Sequence, residues 1–258
     1  MADVVELRLD GPVLTVALNR PEQHNALTPE LIDRLTAVFH HFTIRQEVRV
    51  IVLTGNGRSF CAGADLNYMR AAADFDFEAN AADGKAIFDL VQAVNECPKP
   101  VIGRVNGAAI GGGVGLVSAC DIVVAVKRAT FALSEVRLGI VPAVISPFVL
   151  AKIGMGNGRE LFLTGERFDA YKAQQIGLVQ HVAAEDDLDT AVAERIQQLL
   201  QAAPGAQAAA KELIRTVAHR PPSDVRDFTA NLIAQRRASD EGREGMSAFL
   251  EKREPDWR

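Results

Sequence analysis

Two runs of small residues hold the most chemistry-bearing pattern in this chain. The first is Gly55-Asn56-Gly57-Arg58-Ser59-Phe60-Cys61-Ala62-Gly63-Ala64-Asp65-Leu66, directly after the apolar run Val48–Leu53. The second is Asn106-Gly107-Ala108-Ala109-Ile110-Gly111-Gly112-Gly113-Val114-Gly115, again between a strand pattern and a helix pattern. Consecutive glycines at a helix start let backbone approach a ligand closely and aim unpaired N–H groups at it. The helix dipole adds positive potential there, about 0.3–1 kcal/mol for an exposed anion. A tight turn or close helix packing is the alternative use of such glycines. A nucleotide loop fits less well. In the spacing G-x-G-x-x-G the last position is Leu116 counted from Gly111 and Ser118 counted from Gly113, and no G-K-[S/T] follows. Two strand-end loops of small residues suit another task, in which two backbone donors converge on one oxygen that gains charge.

The elements that must position those loops alternate along the chain. Val5, Leu7 and Leu9 alternate with charged residues, and Asp10-Gly11-Pro12 turns into Val13–Leu18, which predicts a hairpin. Thr28-Pro29 marks a helix start, followed by Leu31, Leu35, Val38 and Phe42 on one face. Ile87, Val91 and Val94 mark a helix ending before Pro98, and Val101–Val105, Asp121–Val126 and Thr130–Leu133 read as strands. Strands alternating with helices predict an α/β core. From about Asp186 only helical patterns remain: Leu188–Gln201, Ala206–Ala218, Asp224–Ala238 and Gly242–Lys252, separated by Pro204 and Pro221-Pro222. Such a tail needs the core or another subunit to cover its apolar faces.

Composition narrows the classes. The 258 residues are 48% apolar and 24% charged with a net charge of −5, which fits a large globular domain and not a disordered chain. The acidic balance and 6% aromatic content argue against nucleic-acid binding. No apolar run approaches the roughly 20 residues of a bilayer span, and the acidic, alternating start does not read as a leader peptide. Three cysteines, Cys61, Cys97 and Cys120, do not make a disulfide framework, and no C-x-x-C or H-E-x-x-H spacing points to a metal. A cytoplasmic protein without a metal is expected.

In order along nearly the whole chain, several segments resemble the enoyl-CoA hydratase/isomerase (crotonase) superfamily. They are Phe60-Cys61-Ala62-Gly63-Ala64-Asp65-Leu66, Gly107-Ala108-Ala109-Ile110-Gly111-Gly112-Gly113 and Ala119-Cys120-Asp121-Ile122. Asn19-Arg20-Pro21 with Asn25-Ala26-Leu27, Ser134–Pro142 and Glu241–Arg253 add to them. The resemblance implies an α/β crotonase (ClpP-like) spiral of repeated ββα units over residues 1–200, with a helical trimerisation region over 201–258. It implies a homotrimer or a dimer of trimers. It implies a CoA thioester substrate, with no separate cofactor, no nucleic acid and no membrane partner. Carried over position by position, Glu135 is the catalytic acid/base, and the backbone N–H groups of Ala64 and Gly112 form the oxyanion hole. Ala62, Asp65, Leu66 and Asn67 would line the CoA path, and Arg58 and Lys252 would meet its phosphates, Lys252 across a subunit boundary. For Glu135 the alternative role is an ion pair with Arg137.

One position departs from the family pattern. Hydratases of this family commonly carry a second glutamate two residues after the third glycine, and that position here is Gly115. Tyr68, Ser134 and Arg137 lie near the motifs as possible auxiliaries. Gly113–Asp121, Ser134–Gly139 and Pro142-Ala143-Val144-Ile145-Ser146-Pro147 together resemble bacterial methylglutaconyl-CoA hydratases of leucine breakdown. That likeness implies hydration of a branched 2-enoyl-CoA, 3-methylglutaconyl-CoA first, whose extra carboxylate needs a cation such as Arg137 or Lys152, or solvent. The alternatives are a Δ3-Δ2 enoyl-CoA isomerase using Glu135 alone and a general enoyl-CoA hydratase. A serine hydrolase is less supported, because none of His24, His40, His41, His181 or His219 sits in a recognisable elbow with a serine.

Overall fold

The computed structural model describes residues 3–72, 74–218 and 220–257; Met1, Ala2 and His219 of the sequence reading lie outside them. The first half of the chain is β1 (Val5–Asp10), β2 (Val13–Leu18), α1 (Pro29–Thr43), β3 (Val50–Gly55), α2 (Leu66–Ala72) and α3 (Phe77–Glu96). It continues through β4 (Val101–Val105), β5 (Ala109–Ile110), α4 (Gly112–Ala119), β6 (Ile122–Val126) and β7 (Thr130–Ala132). Then come α5 (Ser146–Thr164), β8 (Arg167–Asp169), α6 (Ala170–Gln175) and β9 (His181–Ala183). The helices α7 (Leu188–Leu200), α8 (Pro204–Val217), α9 (Pro222–Ala238) and α10 (Asp240–Glu251) close the chain.

Six strands form one sheet in the order β1-β2-β3-β4-β6-β9, and β5-β7-β8 form a second. Only the β1–β2 hairpin is antiparallel in the large sheet; β2 through β9 run parallel. A parallel sheet is covered on both faces, so its strands read as unbroken apolar runs. Every residue of β3 is buried, as its Val-Ile-Val-Leu sequence predicts. Thr28 caps α1 by accepting from the Leu31 amide at 3.4 Å, with Pro29 in the first turn, and α1 packs on α3.

All parallel strands point their carboxyl ends the same way, so the two small-residue loops after β3 and β4 emerge side by side. Backbone bonds fuse them. The amides of Phe60 and Cys61 both donate to the Ala108 carbonyl at 3.0 Å, and the Ile110 amide donates to Cys61 at 2.9 Å. Asn106 Nδ2 donates to the Gly57 carbonyl, and the fully buried Asn25 donates to the carbonyls of Asn56 and Ser59, each at 2.9 Å.

The tail departs from the core as expected, with corrected bounds. The fixed φ of Pro204 and Pro222 suits the first helical turn, so α8 and α9 begin at these residues instead of after them. The chain turns from α9 into α10 at Ser239, which caps α10. The sequence reading missed α2, β5, α5, β8, α6 and β9; all but α5 are too short to show a period, and α5 is interrupted by non-helical backbone at Gly154. α7 lies on the large sheet, while α8, α9 and α10 pack on each other. Ile214, Ile233, Met246, Phe249 and Leu250 stand exposed on these three helices, Phe249 at 83%.

Candidate active site

The oxyanion donors come from the fused loops. Leu27 and Ala64 form a parallel bridge in which the Leu27 amide donates to Gly63 (2.7 Å) and the Asp65 amide donates to Leu27 (3.0 Å). In that pattern the N–H of Ala64 points away from Leu27. Gly112 opens α4, where first-turn amides have no partner within the helix. Among the described residues no protein group accepts from the Ala64 or Gly112 N–H. Ala64 is exposed and Gly112 half-buried, so both amides border open space.

Glycine is required where these loops meet. Gly63 has φ +85°, and a Cβ on it would lie 2.8 Å from the Ile110 carbonyl oxygen and 3.8 Å from the Gly112 nitrogen. Gly111 has φ +50°, and a Cβ there would lie 2.9 Å from Glu135 Oε1 and 3.6 Å from Glu135 Cδ. The Glu135 carboxyl therefore lies against the Cα of Gly111, one residue from the Gly112 amide. Glu135 reaches there from a 3-10 turn, Ser134–Leu138, that follows β7.

The environment of that carboxyl suits proton transfer. Glu135 Oε2 is buried and has no hydrogen-bond partner among the described residues. Burial raises the Glu135 pKa above its ordinary 4.5, with a backbone hydrogen bond opposing part of the rise. The Arg137 ion pair does not form, because Arg137 Nε donates to the Thr164 carbonyl (3.2 Å) at the end of α5. Lys152 donates to the Cys120 carbonyl at the end of α4. Lys152 is thereby held at the end of α4, whereas Arg137 is exposed and only its Nε is engaged.

The missing glutamate has a physical reason. Gly115 is buried in α4, and a Cβ on it would collide with Ile145 Cγ2, lie 3.0 Å from Ile145 Cβ and 3.6 Å from Val91 Cγ2. Overpacking of that kind costs about 1–3 kcal/mol, more than the roughly 0.5–1 kcal/mol by which a helix prefers alanine to glycine. Ile145 thus fills the room a longer side chain at 115 would need, and Gly115 offers no auxiliary group.

The other expected contacts separate into two sets. The Asp65 carboxylate turns inward: Oδ2 pairs with Arg20 (2.9 Å), and Oδ1 accepts from the Asn67 (2.9 Å) and Tyr68 (3.3 Å) amides. Burial pushes its pKa up, but these partners outweigh burial and hold it below the ordinary 3.8. Asp65 therefore braces the Ala64 turn and does not present its carboxylate to a ligand. Leu66 and Asn67 are exposed at the start of α2, Arg58 is exposed on the loop after β3, and Ala62 is half-buried with its amide on the His24 carbonyl (3.0 Å).

Lys252 belongs elsewhere. It ends α10, whose Gly245 packs on Trp257, and Arg49 donates to the Trp257 carbonyl at 2.6 Å. Arg49 precedes β3 at the end opposite to Gly55. A six-residue strand spans about 20 Å, so the end of α10 that carries Lys252 packs toward the opposite end of the sheet from its own oxyanion loops.

A pair not singled out as a pair in the sequence completes the setting. Tyr68 Oη donates to Asp83 Oδ1 at 2.7 Å, joining α2 to α3. The thiols offer no nucleophile: Cys61 and Cys120 are fully buried, and burial pushes each up to about 12.

Comparison with known proteins bears on the fold and the family. The family model for enoyl-CoA hydratase/isomerase matches residues 9–258. A solved enoyl-CoA hydratase from Shewanella pealeana is 40% identical with a TM-score of 0.95, over 98% of this chain and 96% of its own. Pseudomonas aeruginosa AtuE is 36% identical with a TM-score of 0.95, over 98% of this chain and 99% of its own. The carnitinyl-CoA dehydratase of Salmonella enteritidis is 35% identical over 265 aligned positions, covering 100% of this chain and 99% of that protein. The two-sheet spiral with its helical tail is thus the crotonase fold, and the chain belongs to the enoyl-CoA hydratase/isomerase family.

Proposed function

We propose that this protein is a hydro-lyase that reversibly adds water to a branched 2-enoyl-CoA, with 3-methylglutaconyl-CoA giving 3-hydroxy-3-methylglutaryl-CoA as the first substrate to test. The observation that carries the reading is the Glu135 carboxyl packed against Gly111 beside the unpartnered Gly112 amide. The thioester oxygen accepts from the Ala64 and Gly112 N–H groups. Glu135 takes a proton from water as the water oxygen bonds to C3, and the C2–C3 electron pair moves onto the thioester oxygen as an enolate. The enolate collapses as Glu135 returns that proton to C2. Two preorganised donors lower the barrier because they need no reorganisation as charge develops.

CoA enters as part of the substrate, with no separate cofactor. The branched chain is supported by the resemblance of the Ala143–Ile145 loop and by the apolar wall that Val144 and Ile145 form at Gly84 and Gly115. With Lys152 held at the end of α4, a distal carboxylate on the substrate is left to solvent or to the exposed Arg137. The lone carboxylate also supports a second reading, movement of a proton from C2 to C4 as an isomerase. One assay separates them: straight, branched and carboxylated enoyl-CoA esters in oxygen-18 water. The expected result is label in a 3-hydroxy product with the branched esters preferred. Isomerised product without label would replace hydration by isomerisation.

Residues 201–258 are proposed as the oligomerisation region of a cytoplasmic homotrimer or dimer of trimers. The exposed apolar side chains of α8, α9 and α10 and the distant placing of Lys252 support this. No helix of the described residues is long and apolar enough to cross a membrane. Sedimentation equilibrium is expected to give three or six times the chain mass; a stable monomer would contradict the assembly.

A further inference from the structure

We infer that the Tyr68 hydroxyl, its proton committed to Asp83, accepts a hydrogen bond from the attacking water and holds that water against Glu135. This rests on the hydratase reading above. A single carboxylate has to take a proton from water and return it to C2, yet water held by Glu135 alone remains free to rotate. A second acceptor fixes which lone pair faces C3. In this chain it cannot come from residue 115, where Ile145 and Val91 leave no room for a side chain.

The fold brings Tyr68 to the wall that Glu135 does not supply. α2 begins two residues past Ala64, so Tyr68 sits one helical turn beyond an oxyanion donor. Asp65 accepts from the Tyr68 amide, and the Tyr68 ring packs edge-on against Phe75 with centroids 6.0 Å apart. Asp83 shares one face of α3 with Ile87 and Val91 at i, i+4 and i+8, and Val91 faces Gly115 of α4. Both helices run back from the carboxyl end of the sheet. Asp83, two turns before Val91, therefore stands above the amino end of α4, where the oxyanion amides are. Its neighbour Gly84 faces Val144 of the loop that carries Ile145.

The chemistry of the pair favours accepting over donating. Burial and the Asp83 carboxylate push the Tyr68 hydroxyl up to about 12, so it is a poor acid near neutrality. Its single proton points at Asp83, which leaves oxygen lone pairs for water. Tyr68 exchanges no proton in the reaction. Water loses its proton to Glu135, the oxygen bonds to C3, and Glu135 delivers the proton to C2. Asp83 is a positioning residue that fixes the hydroxyl rotor.

The test compares two rates on one protein. Hydration of the best enoyl-CoA ester needs the water; deuterium exchange at C2 of butyryl-CoA in heavy water needs only Glu135 and the oxyanion amides. Tyr68→Phe is expected to lower kcat for hydration 10- to 100-fold, with KM and the exchange rate within about threefold of wild type. Asp83→Ala is expected to repeat that split, and Asp83→Asn, which keeps an acceptor, to restore most of the hydration. Hydration unchanged in Tyr68→Phe and Asp83→Ala, or hydration and exchange falling together in both, would overturn the assignment. A wild type that exchanges but never hydrates would overturn the hydratase reading on which the assignment rests, and one that does neither would overturn the roles of Glu135 and the oxyanion amides as well.

Discussion

Glu135→Gln is expected to reduce hydration at least 1,000-fold while leaving the dissociation constant for a saturated acyl-CoA within a few-fold. General acid–base groups contribute about 10²–10⁴ in rate, and this carboxyl performs both proton transfers. Glutamine keeps the shape against Gly111 but cannot take a proton from water. Steady-state kinetics and calorimetric binding check the two halves. Loss of binding together with turnover would mean that Glu135 holds the loop and does no chemistry.

The same carboxyl links activity and stability to pH in opposite directions. Burial raises its pKa above the ordinary 4.5, so the active carboxylate forms later as pH rises, and the acid limb of kcat/KM lies above that value. For stability, the folded chain holds this proton more tightly than the unfolded chain, whose value is about 4.3. Between the two values the folded state binds more protons, so stability falls as pH rises through that window. At neutral pH the cost of the buried charge is fully present, and Glu135→Gln removes it. The variant should therefore melt higher than wild type at pH 7, with the gain vanishing below about pH 4 on that linkage. Greater stability with activity lost is a mark of a functional site.

Gly112→Pro is expected to lower kcat by about 10²–10³, the effect of removing one oxyanion donor, roughly 3–4 kcal/mol. Gly112 is the first residue of α4, the helical position where proline fits best, so the N–H is lost with little strain on the helix. Gly111 before it has no Cβ to meet the proline ring. Any side chain at 112 approaches Leu27 Cδ1, at 2.8 Å from the added Cβ, which is the movable end of a flexible side chain. Gly112→Ala makes the same contact and keeps the N–H, so it is expected to retain activity to within about tenfold. Equal losses in the two variants would assign the effect to Leu27 and not to the amide.

Sequence legibility followed the range of the interactions. The β3 and β4 runs, the glycine turns after them and the Thr28-Pro29 helix start are local signals, and each formed where its residues predict, β3 two residues later than its apolar run begins. Glu135 was legible only through family resemblance, because nothing nearby in sequence says that its carboxyl meets Gly111. The commitments of Lys152 to Cys120 and Arg137 to Thr164 span 32 and 27 residues and left no local trace. Asp65 read as a ligand contact through the family resemblance alone; its carboxylate pairs with Arg20, 45 residues away, a partner with no local trace. Asp83 carried one faint signal, its helical spacing from Ile87 and Val91, without any sign that Tyr68 is its partner. The filling of the Gly115 site by Ile145 depends on how α4 meets the turn into α5.

The polarisation of the bound thioester carbonyl tests the central claim most directly. Raman difference spectra of an isotope-labelled enoyl-CoA ester on the Glu135→Gln protein report that stretch without turnover. Two converging amides should shift it well below its frequency in water, and adding Gly112→Pro should reverse much of the shift while adding Gly112→Ala does not. A carbonyl frequency equal to that in solution, unchanged by Gly112→Pro, would contradict an oxyanion hole made by Ala64 and Gly112.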